Sequence, residues 1–236
     1  VISTLDFSAS VQDIRIGMFH TAVVSRRCGL AASLPHDALR QDPPFVREPG
    51  FLVDKPPAEL AHLAHSASLL EAAIGMATIN SLLAVDLGTC LELNAAELIL
   101  KKGEGRNVAV VGHFPFLPRV REKARRLWVI EKNPREGDLP GLAADTIIPQ
   151  ADVVGITGTA LTNHTLEHLL ELCSPRAYVV ILGDTAPLSP LFFDYGVDAV
   201  CGTAVVDTEQ ALRCVSQGAT FRQIQGTQRL CLEKQV

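Results

Sequence analysis

The sequence predicts an α/β protein: a small α+β module over residues 1–104, then a Rossmann-like α/β domain over residues 105–236 with a mostly parallel sheet. Three observations predict it. Four short Val/Ile-rich runs recur in the second half: NVAVVG (107–112), LWVIEKN (127–133), ADVVGIT (151–157) and YVVILGD (178–184). Helical patterns lie between them, and apolar runs alternating with helices read as parallel strands buried on both faces. The first hundred residues have a different texture, with a β-branched stretch around Gly17, a proline-rich segment and an Ala/Leu-rich helical pattern.

In chain order, residues 11–34 read as an antiparallel meander with turns near Gly17 and Gly29. Prolines 35, 43, 44, 49, 56 and 57 mark residues 35–57 as a long exposed loop. Pro57 then opens one strong helix, in which Leu60, Leu63, Ala67, Leu70 and Ile74 recur at helical spacing. A second helix is expected from Asn94 as N-cap to Gly103 as stop, with Lys101 and Lys102 in the last turn, where positive charge suits the helix dipole.

Charged residues 118–126 predict a surface helix, and residues 163–173 another with an apolar side of leucines. Ser189-Pro190 reads as an N-cap followed by proline at the first helical position, in a short helix stopped by Gly196. Residues 198–206 are a fifth strand, and a last helix starts at Asp207 or Thr208. The end of the chain reads as an edge hairpin or an irregular tail.

Composition narrows the function classes. The chain is 47% hydrophobic and 20% charged, which excludes disorder as its main state. The net charge of −5, with no basic block, argues against nucleic acid or an anionic membrane as partner. No apolar stretch reaches 18 residues, and the start carries no basic segment ahead of an apolar core, so neither a membrane span nor a signal peptide is expected. Six cysteines without a CxxC pair then predict reduced, mostly buried thiols and a cytoplasmic location.

Ligands of open α/β sheets sit outside the carboxyl ends of the strands, so the loops after the runs are the candidate site. After the first run come Gly112, His113 and Phe114. Pro115 and Pro118 remove two amide donors from that loop, which argues against NAD or FAD. His113 reads either as a group aimed into the cleft or as a hydrogen-bonding partner of its own loop. Glu131 ends the second run 19 residues after Gly112, near the spacing at which an acid takes ribose hydroxyls, and Asn133 follows it. The alternative for Glu131 is a salt bridge with Lys132 or Arg135.

Thr157, Thr159 and Asn163 stand where a strand meets a helix N-terminus, suited to an anion or to plain capping. Asp184 and Thr185 stand in the same position after the fourth run. His164-Thr165-Leu166-Glu167-His168 matches the HxxEH pattern of inverted zinc proteases, but an open α/β sheet is not that context. A divalent transition metal is carried as an expectation on His113 and His164 alone.

VGHFPF, VIEKNP, ADVVGITGTALTNHTLEHLL and ILGDTAPLSPLFFDYGVDAVCGTAVVD, in that order, resemble the Rossmann-like domain of the family known as putative heavy-metal chelation. DIRIGMFHTAVVS and AIGMATINSLL resemble its usual partner, which is similar to the N-terminal domain of enolase. The resemblance covers nearly the whole chain. It implies an enolase-N-like module packed on the Rossmann-like domain with a site between them, and it puts Asn80 on the helix facing the strand ends. The expected function is binding of a small polar or metal-bearing ligand in that cleft, in heavy-metal chelation or metal-cofactor metabolism. A nucleoside-type enzyme of the S-adenosylmethionine kind and a non-catalytic metal-delivery protein are the alternatives. A homodimer is the expected assembly. Soft metals favour clustered thiolates or imidazoles, and the four loops offer hydroxyls, amides, carboxylates and imidazoles but no cysteine.

Overall fold

β-Branched residues on either side of Gly17 pair with each other across a tight turn. Strands β1 (Asp13–Ile16), β2 (His20–Val24) and β3 (Cys28–Ala32) form a three-stranded antiparallel sheet in the computed structural model, which describes residues 1–42 and 45–235. The first turn falls at Gly17 as expected, but the second is Ser25–Arg27 and Gly29 lies inside β3. Gly29 is needed there for proximity: a Cβ would lie 2.2 Å from the Ala77 carbonyl oxygen of the helix packed on that face. Pro43 and Pro44 of the expected loop lie outside the described residues, and the rest of that segment carries helix α1 (Pro35–Ala38) and a 3-10 turn, Leu52–Asp54.

The helix expected from Pro57 is broken. Helix α2 (Pro57–His62) runs into a 3-10 turn at Leu63–His65, and helix α3 (Leu69–Leu82) starts again after Ser68. The Ser68 hydroxyl accepts from the Glu71 amide as an N-cap. The break lets α2 fold back on α3 so closely that a Cβ on Gly75 would lie 1.9 Å from the Ala64 nitrogen. Twelve residues of α3 are buried, because it packs on β2 and β3 as well as on α2. Alternate residues of the small sheet face two ways: Val23 and Ala31 pack on α3, and Ala22 and Leu30 pack on Ala211, Leu212 and Val215 from the C-terminal part.

Helix α4 (Ala95–Gly103) has Asn94 as N-cap, accepting from the Ala96 amide at 3.0 Å. The seven-stranded sheet follows, with β4 (Asn107–Val111), β5 (Arg126–Glu131), β6 (Leu139–Pro140), β7 (Val153–Thr157), β8 (Tyr178–Leu182), β9 (Ala199–Val205) and β10 (Thr227–Glu233). Their order is β10-β9-β8-β7-β4-β5-β6, all parallel except β10, which runs antiparallel along β9. The sheet therefore has a large, mostly parallel body, as the apolar runs predict, and the chain end supplies an edge strand rather than a hairpin or tail.

Helices α5 (Leu117–Lys123), α6 (Ala144–Ile147), α7 (Thr159–Thr162), α8 (Leu166–Glu171) and α9 (Thr208–Ser216) complete the chain, with a 3-10 helix at Pro190–Tyr195 capped by Ser189. The helix expected at 163–173 is the shorter α8, starting at Leu166, and His164, whose φ is +60°, separates it from α7. One sheet face packs Ala109, Val154, Ile156, Val179 and Ile181 against α6 and α8, the other packs Val108, Val110, Val153 and Val180 against α4 and α5. Burial on both faces is why these strands are continuously apolar in sequence. Helix α4, which a boundary at residue 104 groups with the N-terminal module, packs on this sheet through Leu98, Ile99 and Leu100.

The expectation of reduced thiols throughout is corrected at one pair. Cys201 and Cys231 are directly opposite in the β9–β10 register and form a disulfide. Cys28, Cys90, Cys173 and Cys214 are free. Blocking with iodoacetamide in denaturant without reductant is expected to label four thiols, and six after reduction; six labelled before reduction would disprove the pairing.

Candidate functional site

Strand β4 starts one half of the large sheet and β7 the other, so the loops leaving their carboxyl ends diverge to opposite faces. Such a switch point leaves a crevice, the usual ligand site of open α/β sheets. A cavity of about 1050 Å³ opens there, at the upper end of the size range for small-molecule sites. Its wall contains His113 and Phe114 after β4, Thr157 to Thr159 after β7, and Gly183 to Thr185 after β8.

Backbone geometry makes this space. Gly112 has φ +106°, a conformation L side chains avoid, and turns the chain sharply at the end of β4. Gly158 brings its backbone against that of Ala186, where a Cβ would meet the Ala186 nitrogen at 2.6 Å. The hydroxyls of Thr157 and Thr159 bond each other at 2.9 Å on the exposed wall between these loops.

The N-terminal part closes one side. His20, the first residue of β2, lines the cavity and places Nε2 2.9 Å from the Asp184 carboxylate. Thr203 donates to the other Asp184 oxygen at 2.5 Å. Both His20 and Asp184 are buried. His20 Nδ1 has no hydrogen-bond partner among the described residues, which makes it a buried polar atom that a ligand can satisfy. Ala32 adds a second tie, its amide donating to the Thr185 hydroxyl at 3.0 Å.

The residues singled out from sequence divide into two groups. Gly112 shapes the loop, and His113, Phe114, Thr157, Thr159, Asp184 and Thr185 line the cavity. Asn80, Asn133, Glu131, Asn163 and His164 do not line it. Asn80 docks the two parts, its amide donating to the carbonyls of Leu30, Asp184 and Thr185. Asn133 donates to Asp37 of α1. Glu131 accepts from the amides of His113 and Lys132, so the spacing that suits a ribose contact here places a loop-bracing carboxylate. Asn163 accepts from the Thr165 hydroxyl, and His164 Nε2 meets the Ser66 carbonyl at 2.8 Å. His113 is held through Nδ1 by Asp138 at 2.9 Å, which leaves Nε2 as its free ring nitrogen.

His20 carries no motif in the sequence. Its partner is 164 positions away, and only a lone polar residue at the head of a β-branched run marked it.

The donor set does not fit a bare heavy-metal ion. Among the described residues no three His, Cys, Asp or Glu side chains converge to hold one. Cys201, the cysteine in the cavity wall, is committed to the disulfide. Burial, with a smaller push from Asp13, raises the Cys28 thiol to about 12, and burial raises Cys173 to about 11. Such thiols are protonated near neutral pH, and neither lines the cavity.

This fold is that of a known family. Residues 94–233 match the family DUF364, described as "Putative heavy-metal chelation", and residues 2–83 match DUF4213, which has the same description. The chain belongs to this family.

A crystal structure of a DUF364 protein of unknown function from Desulfitobacterium hafniense superposes with a TM-score of 0.84 at 26% identity, covering 99% of this chain and 96% of that one. A second, from Pyrococcus horikoshii and also of unknown function, gives 0.79 at 23% identity, with 95% and 93% covered, and shows the fold alone. An uncharacterized protein of Methanocaldococcus jannaschii is 28% identical over 169 residues, 68% of this chain. The chain spans 64% of that relative's length. No helix among the described residues is long and apolar enough to cross a membrane.

Proposed function

We propose that this chain binds a small polar, metal-bearing ligand in the cleft between the small sheet and the carboxyl ends of β4, β7 and β8, within heavy-metal chelation or metal-cofactor metabolism. The observation that carries the reading is the switch-point cavity closed by the His20–Asp184 pair. The family description supports the metal, and a metal carried by its own chelator fits a wall with no ligand cluster among the described residues. The protein then supplies shape, hydroxyls from Thr157 and Thr159, and an imidazole nitrogen of His20. The metal-delivery alternative loses support because His164 is spent on the Ser66 carbonyl, outside the cavity wall.

The test is calorimetry with two substitution-inert cobalt(III) complexes, the anionic ethylenediaminetetraacetate and the cationic tris(ethylenediamine), beside nickel, cobalt, zinc and copper salts. A complex of one sign or the other is expected to bind with one-to-one stoichiometry, and Thr159→Phe, which fills the cavity wall, is expected to weaken it about tenfold or more. Stoichiometric binding of the bare ions with neither complex bound would sink the reading.

A further inference from the structure

Although the chain carries a net charge of −5, the rim of its cavity is cationic. Arg119, Arg135, Arg222 and Arg229 all line it, and Asp184 is the one acidic residue in the wall. That carboxylate is already occupied by His20 and Thr203. Arg119 is paired with Glu97 at 2.9 Å. Arg135, Arg222 and Arg229 have no carboxylate within salt-bridge distance among the described residues. Guanidinium groups without counter-ions on a concave wall attract anions, and their planar forks match carboxylate and phosphate oxygens.

Aromatic rings stand beside these charges. Phe114 and Phe116 lie nearly parallel with centroids 5.3 Å apart, and both line the cavity. Phe221 lines it too, is 40% exposed, and has the Arg229 guanidinium 4.5 Å from its centroid. Half-buried and exposed aromatic rings next to unpaired cations suit a flat ligand that stacks while its charged substituents reach the arginines. In the same wall, Nδ1 of buried His20 has no partner among the described residues and calls for one from the ligand.

From these observations we infer that the ligand is a planar, ring-bearing anion carrying carboxylate or phosphate groups. Its anionic groups meet Arg135, Arg222 and Arg229, and its ring lies against Phe114. This rests on the reading of the cleft as the ligand site and gives that ligand its chemical class. It also accounts for the cavity's poor fit to a free metal cation, which a cationic rim repels.

The test compares benzene-1,3,5-tricarboxylate with its neutral triamide by calorimetry on the full chain. The anion is expected to bind about tenfold or more tightly than the amide, with affinity falling as salt rises. Arg222→Gln with Arg229→Gln is expected to lose about tenfold, since each removes a charge-assisted contact. Phe114→Leu is expected to weaken the tricarboxylate while leaving citrate, a trianion without a ring, unchanged. Equal binding of acid and amide, no effect of the arginine substitutions, or no binding of the tricarboxylate overturns the inference. Should a cobalt complex bind while the tricarboxylate does not, the cleft reading stands and this inference falls. Should the tricarboxylate bind and neither complex do so, the metal-bearing reading falls and this inference stands.

Discussion

Asp184→Ala is expected to destabilise the protein by about 2–3 kcal/mol, the usual cost of leaving buried donors without an acceptor. Two groups lose their partner at once, His20 Nε2 and the Thr203 hydroxyl. His20 is held from solvent, being 5% exposed where β2 meets the β8 loop, whereas half-buried Thr203 recovers part of its loss by turning into the cavity. For a chain of this length such a loss corresponds to a fall in midpoint of roughly 4–12 °C. Asp184→Asn keeps one acceptor and is expected to cost about half as much. Thr203→Val removes only the second bond and is expected to cost about 1 kcal/mol. Urea unfolding of the three variants checks the order. Equal costs for Asp184→Ala and Thr203→Val would mean that the His20 contact contributes nothing.

The same substitution separates docking from ligand chemistry. Asn80 also ties the small sheet to the Asp184 and Thr185 carbonyls, and Ala32 ties it to the Thr185 hydroxyl, so the cleft should survive the loss of Asp184. Ligand affinity should then fall through freedom of the His20 ring, whose orientation the carboxylate fixes.

What was legible in the sequence follows from the range of the forces involved. Strands buried on both faces must be apolar throughout, so β4, β5, β7 and β8 are visible from their residues alone. Asn94, Ser189 and Asp207 are local caps, and each accepts the amide its position predicts. The break before α3 also left a local mark: Ser68-Leu69-Leu70-Glu71 has the spacing of a capping box, masked by the Ala/Leu-rich residues on both sides. Spacing misled at Glu131, since a carboxylate at a strand end can serve its own loop's amides as readily as a ligand. The cavity's His20 and the Cys201–Cys231 bond depend on which strands meet, and nothing local encodes that.

Glu71 tests the same reasoning on a buried charge. It is 2% exposed and accepts four hydrogen bonds: from the Arg47 amide at 2.8 Å, the Arg47 guanidinium twice at 2.9 Å, and the Ser66 hydroxyl at 2.6 Å. Burial pushes its carboxyl up, but the bonds from Arg47 and Ser66 outweigh this and hold it below its ordinary 4.5. Arg47 itself is 62% exposed, so the ion pair is screened and its share is at most about 1 kcal/mol. The larger share comes from the amide and hydroxyl, which fix Ser66 next to the break that lets α2 fold back. Glu71→Ala is therefore expected to cost about 2–3 kcal/mol. A lowered folded pKa means stability that is present above the unfolded pKa and lost as pH falls through the folded one. The gap between wild type and Glu71→Gln should thus be constant at neutral pH, narrow as the pH drops below about 4.5, and keep narrowing through the folded pKa. Urea midpoints measured across that range decide it: a gap that stays constant into acid would show that Glu71 acts through its shape and not its charge.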